Sequence, residues 1–207
     1  MSSLKMHMAI SKKIKDELNY SDIFLLGVIL PDIIKLILED RKVSHFENNG
    51  IIDLNRFISK QNNLDNELVL GYYAHLIEDK IWDELYLKKY LKLPEYSDWK
   101  LYNDYTFVDD IIYNDLNLNM YTQNISEVLY KTIEKIDIKD ICMIDGEIEH
   151  IINNEDIKNK ISEVWKNYYS DGNNYFYNIN DAKEYYQLTL QKVKEYLINL
   201  KYISNNN

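Results

Sequence analysis

The chain has 207 residues, carries Lys+Arg 24 against Asp+Glu 34, and has a formal net charge of −10. That balance argues against broad electrostatic capture of duplex nucleic acid or anionic lipid, because both require a basic face. Hydrophobic residues at 46% supply the core of one domain, and one cysteine, Cys142, excludes an internal disulfide, a four-cysteine zinc site and a CxxC redox pair.

With Gly only 5 and Pro only 2, and apolar residues recurring at steps of three and four, the chain reads as all-α, a single-domain multi-helix bundle over 1–203 with 204–207 as a frayed tail. Ser2 or Ser3 caps a first helix whose stripe is Leu4, His7, Ile10, Ile14 and Leu18. Ser21 opens a short apolar helix to about Gly27. Pro31, which pushes Leu30 toward extended geometry, starts a new helix ending near Asp40. A loop through Ser44, His45 and Asn49 leads to a helix at about 51–59. The longest helix is expected over about 64–91, with Leu68, Tyr72, His75, Asp79, Trp82 and Tyr86 along its inner stripe. Further helices are expected at about 104–116, 124–136, 145–152, 155–169 and 181–201, with 170–180 as a loop.

The N-terminus lacks the apolar stretch of a secretory signal, so a cytoplasmic location is expected. No transmembrane segment is expected either. The longest uncharged apolar run, Ile23 to Pro31, lies between Asp22 and Asp32 and falls well short of the roughly 20 residues that span a bilayer.

His75 and Asp79, at i and i+4, share one helix face and can reach one metal ion. An ionised Asp79 on an apolar stripe is costly unless paired or metal-bound. Alone, the pair reads more readily as a buried His–Asp hydrogen bond. His7 on its stripe reads as a core histidine, Asp32 as a carboxylate favoured by a helix N-terminus, and His45 as a loop residue. His150 reads as part of a solvated helix face, and so do Asp104, Asp109, Asp110 and Asp115. Tyr72, Tyr73 and Trp82 read as core before they read as the lining of a site.

Taken together, Met6-His7-Met8, Gly27-Val28-Ile29-Leu30-Pro31-Asp32, Ser44-His45-Phe46 and Gly71-Tyr72-Tyr73-Ala74-His75-Leu76-Ile77-Glu78-Asp79 follow one another in an order that resembles the zinc-dependent phospholipase C family. That all-helical superfamily also includes single-strand-specific fungal nucleases, and the resemblance covers about 1–110. It implies His7, Asp32, His45, His75 and Asp79 as metal ligands, with Asp79 bridging. It also implies one or two Zn²⁺ ions, with Mn²⁺ or Fe²⁺ as possible occupants.

The implied activity is phosphoester hydrolysis, in which a metal-activated water attacks phosphorus in a small phosphoester or a phospholipid head group. Asp32 is the expected proton acceptor and Glu78 a weaker one. Secreted members of the family also use a processed N-terminal tryptophan and a third-metal set of two histidines and a glutamate. Here the chain begins with Met1, and His150 is followed at the matching spacing by Asn154, so that set is absent. Two alternatives follow: a non-catalytic metal-binding or interaction module that keeps the fold, and a nuclease-type phosphodiesterase of the same superfamily. The His-Asp dipeptide of another class of helical phosphohydrolase does not occur.

Overall fold

The computed structural model describes residues 3–115, 125–136, 154–164 and 171–204. The expectations for a helix at 145–152, for Cys142 and His150, and for the tail at 205–207 fall outside the described residues, while Ser204, expected in that tail, closes the last helix.

The fold is all-α. In chain order the elements are α1 (Leu4–Leu18), α2 (Asp22–Leu38), α3 (Arg41–Ser44), a hairpin of β1 (Glu47–Asn48) and β2 (Ile51–Ile52), α4 (Leu54–Ser59) and α5 (Glu67–Trp82). A π-turn (Asp83–Leu87) and the short α6 (Lys88–Tyr90) extend α5, and α7 (Asp98–Asp115), α8 (Ile125–Ile133), α9 (Asn154–Val164) and α10 (Ile179–Ser204) follow. Of the described helices α10 is the longest, at 26 residues. Side-chain oxygens of Ser3, Ser21, Asp40, Asp53 and Asn66 accept the first free backbone N–H groups of α1 to α5, so local chemistry fixes where these helices begin. Among the described residues no helix is long and apolar enough to cross a membrane.

Pro31 does not break the chain into two helices. It lies inside the continuous α2, in which every residue from Phe24 to Ile34 is buried. An interior proline loses one helix hydrogen bond and costs about 3 kcal/mol. Burying a helix that is apolar all round outweighs that cost, since each large side chain withdrawn from water returns roughly 1.5–3 kcal/mol. The helix expected at about 51–59 begins only at Leu54, because Ile51 and Ile52 pair instead with the end of the preceding loop in a small antiparallel hairpin, Glu47 with Ile52 and Asn48 with Ile51. Its turn is Asn49-Gly50, both with positive φ (53° and 73°), the backbone conformation that an Asn-Gly dipeptide favours.

Helices α2 and α5 form the centre, with α1, α8, α9 and α10 packed around them. They cross at Gly27 and Gly71. A Cβ built on Gly27 would lie 2.2 Å from the Leu68 carbonyl oxygen, and one on Gly71 would lie 2.0 Å from that of Phe24. Only glycine permits this approach, and it carries Asp32, five residues past Gly27, toward His75 and Asp79, which follow Gly71 on the facing helix.

The acidic residues of α7 correct the expectation of a solvated face. Asp110 and Asp115 are exposed and pair with Lys5 and Lys183. Asp104, in contrast, is buried and accepts the backbone N–H groups of Tyr175, Phe176 and Tyr177 at 2.6–2.8 Å, which pins the segment before α10. Asp109 is also buried, and burial pushes its pKa up to about 7. The packing of that segment over Asp104 and of α1 near Asp109 decides this, and helical periodicity does not report it.

Candidate metal centre

The fold brings His7, Asp32, His45, His75 and Asp79 to one place. Helix α1 supplies His7, α2 supplies Asp32, the residue closing α3 is His45, and α5 supplies His75 and Asp79. Two groups of ligand-type atoms arise, His7–His75–Asp79 and Asp32–His45–His75, each with its atoms within 4.8 Å of one another. These buried groups could hold a metal ion. Four of the five residues have no solvent exposure, and Asp32 retains 8%.

The spacings carry chemical information. His45 Nε2 lies 3.3 Å from His75 Nε2, 3.4 Å from Asp79 Oδ2 and 3.8 Å from Asp32 Oδ1, and His75 Nε2 lies 3.8 Å from the same Asp79 oxygen. Tetrahedral zinc with bonds of roughly 2.0–2.2 Å has ligand atoms about 3.3–3.6 Å apart. The His45–His75 and His45–Asp79 separations match such a ligand set, and the two separations of 3.8 Å are slightly wider. Asp32 Oδ1 is buried and accepts no hydrogen bond from the described residues. Its one cationic neighbour among the described residues is the Lys35 ammonium at 3.5 Å, beyond hydrogen-bond distance, so the oxygen keeps a lone pair available to a ligand.

The far side of each imidazole shows how it is aimed. His7 Nδ1 meets Glu78 Oε2 at 2.6 Å, and the other Glu78 oxygen accepts the Ser11 hydroxyl at 2.9 Å. His45 Nδ1 faces Ser44 Oγ at 2.8 Å, and the Tyr72 hydroxyl donates to the Ser44 carbonyl. Carboxylates or hydroxyls behind metal-binding histidines fix the ring and its tautomer, and here each leaves Nε2 pointing inward. His75 Nδ1 has no hydrogen-bond partner among the described residues; its ring stacks on His7 with centroids 4.0 Å apart. Tyr72, Tyr73 and Trp82 are buried and belong to the core.

Electrostatics divide the histidines. Burial drives His75 well below its ordinary value and lowers His45, so both are neutral and ready to donate a lone pair. Burial also opposes charge on His7, but Glu78 and Asp79 overcome it and raise its pKa to about 10. Burial works against charge on Asp79 and Asp32 as well, yet the surrounding cationic and imidazole groups hold both carboxyls below their usual range. Glu78 is shifted upward, chiefly by burial. With both its oxygens bonded, it is an anchor for His7 rather than a free proton acceptor.

These shifts separate the two groups by pH. A cation held by Asp32, His45 and His75 displaces no histidine proton, so its affinity is expected to be nearly flat from about pH 7 to 9. A second ion that recruits His7 must displace its proton, and its affinity is expected to rise about tenfold per pH unit up to about pH 10. Calorimetry in buffers of differing ionisation enthalpy counts the protons released. Equal release for both ions would contradict the charge assigned to His7.

Sequence reasoning alone missed Arg41, which donates to Asp79 Oδ2 at 2.9 Å, pairs with Glu47 and stands 3.8 Å from Asp83. It also missed Lys35, 3.5 Å from Asp32 Oδ1. The one local signal was Asn49-Gly50, which marks the hairpin that sets Glu47 beside Arg41. Comparison with protein-family models, curated proteins and solved structures gives no match.

Proposed function

We propose that the chain is a metal-dependent phosphoester hydrolase of the zinc-dependent phospholipase C type. The observation that carries this reading is the convergence of His7, Asp32, His45, His75 and Asp79 into two buried three-residue groups that share His75, with Glu78 and Ser44 behind the imidazoles of His7 and His45. Three protein ligands of imidazole and carboxylate type leave a position open for water and suit Zn²⁺, and Mn²⁺ or Fe²⁺ are alternative occupants. When bound, the metal supplies the charge that makes water a nucleophile near neutral pH and polarises a phosphoryl oxygen.

The chain's own residues do the rest. Asp79 bridges the two groups, one oxygen toward His7 and the other toward His45 and His75. Asp32 is ionised at neutral pH and is the one ligand with residual exposure, so it accepts the attacking water's proton. A small phosphoester or a phospholipid head group fits the acidic chain better than duplex nucleic acid does. A short single strand stays compatible with the nuclease form of this reading.

Protein purified without chelators is expected to contain zinc and to cleave a chromogenic phosphodiester, with turnover lost to chelation and restored by zinc. Bound zinc without turnover would favour the second reading, a non-catalytic module with a structural metal. The complete burial of four of the five ligands supports that reading.

A further inference from the structure

The metal-ligand reading leaves two cations unexplained. The cluster is buried except at Asp32, where Lys35 stands 3.5 Å from Oδ1; on another side Arg41 lies 2.9 Å from Asp79 Oδ2, and the two side chains are 27% and 24% exposed. Arg41 does more than neutralise Asp79, which already faces three imidazoles. Its guanidinium is also tied to Glu47 of the hairpin and faces Asp83 of the π-turn at 3.8 Å. Two elements that contribute no ligand therefore hold this side chain in place, which lowers the entropy lost when it binds something else. With Asp79 on a divalent cation, the cation and the Arg41 guanidinium would be two positive centres flanking one carboxylate, and an anion between them would relieve their repulsion. A planar guanidinium matches the paired oxygens of a phosphoryl group, whereas an ammonium offers a point charge.

We propose that Arg41, with Lys35 beside Asp32, forms an anion-binding subsite that holds the non-bridging oxygens of a phosphoryl group against the metal centre. The subsite rests on the metal-ligand reading above and does not depend on turnover. It also explains how a chain of net charge −10 accepts an anionic ligand: the attraction is local to the metal centre.

The test is calorimetric titration of the zinc-loaded full chain with inorganic phosphate, with zinc content measured on the same samples. Arg41→Lys keeps a positive charge against Asp79, Glu47 and Asp83, so fold and zinc content are expected to persist while phosphate affinity falls about tenfold. Arg41→Gln is expected to lose about ten- to a hundredfold, and Lys35→Ala a smaller factor. Phosphate affinity within twofold of the parent in both Arg41 variants overturns the subsite. So does loss of zinc in parallel with loss of phosphate, because Arg41 would then act only by positioning Asp79. A parent protein that binds phosphate through Arg41 but cleaves no ester overturns the hydrolase reading and leaves the subsite standing. Turnover with an Arg41-independent phosphate affinity does the reverse, and a parent that takes up no zinc overturns both.

Discussion

Asp79→Asn is expected to strip the protein of most of its bound metal. Asp79 offers one oxygen to the His45–His75 side and the other to His7, so one substitution weakens both candidate groups at once. Losing a residue that merely orients a ligand costs about 10–100-fold in metal affinity, and losing a ligand itself should exceed the upper figure. Metal content by mass spectrometry reads the result directly, and unchanged content would sink the assignment of Asp79 as a ligand. The metal-free variant carries a second signature, because Asp79 also balances the charges of His7 and Arg41. Breaking a buried ion pair on one side costs roughly 3–5 kcal/mol. Arg41 is partly exposed and its share is screened, so about 3 kcal/mol is the reasonable figure, or a Tm lower by about 6–12 °C for a chain of this size. A metal-free variant as stable as its parent would show that the pairing contributes little.

Gly71→Ala is expected to destabilise the protein by about 3 kcal/mol or more, the upper end of what overpacked cores show. The added methyl would sit 2.0 Å from the Phe24 carbonyl oxygen and 3.0 Å from the Gly27 Cα, and neither is the end of a side chain that can swing away. Helices α2 and α5 must separate. Since α2 carries Asp32 and α5 carries His75 and Asp79, metal affinity is expected to fall with stability. Gly50→Ala provides the comparison: its φ of +73° makes alanine strained by about 1 kcal/mol, but a Cβ there meets nothing within 4 Å. Urea denaturation of the two variants checks the difference. Equal costs would mean that the crossing tolerates separation and does not set the site.

Much of the fold was legible because helices are specified locally. Ser3 and Ser21 cap where their short side chains predict, and the stripe of α5 from Leu68 to Tyr86 faces the core as its period requires. Pro31 misled for a physical reason. A proline's local penalty is visible in sequence, but the burial of α2 on all sides that exceeds it is not. Asp104 and Asp109 misled likewise, since a carboxylate placed under a distant segment looks the same in one dimension as one in water. The π-turn at Asp83–Leu87 gave no signal either, and it is the element that faces Asp83 toward Arg41.

The sequence by itself determined the all-α class, the chemical types of the candidate ligands, and the pairing of His75 with Asp79, because an i,i+4 spacing on a helix fixes a shared face. Tertiary structure decided that His7, Asp32 and His45 join that pair. Three other elements meet α5 only because Gly27 and Gly71 let two backbones touch and because Tyr72 anchors the segment that ends in His45. It also decided the charge of each histidine. His7 is held protonated by Glu78 and Asp79 while His45 and His75 are neutral, a difference set by which groups lie within a few ångströms in space, whatever their distance along the chain.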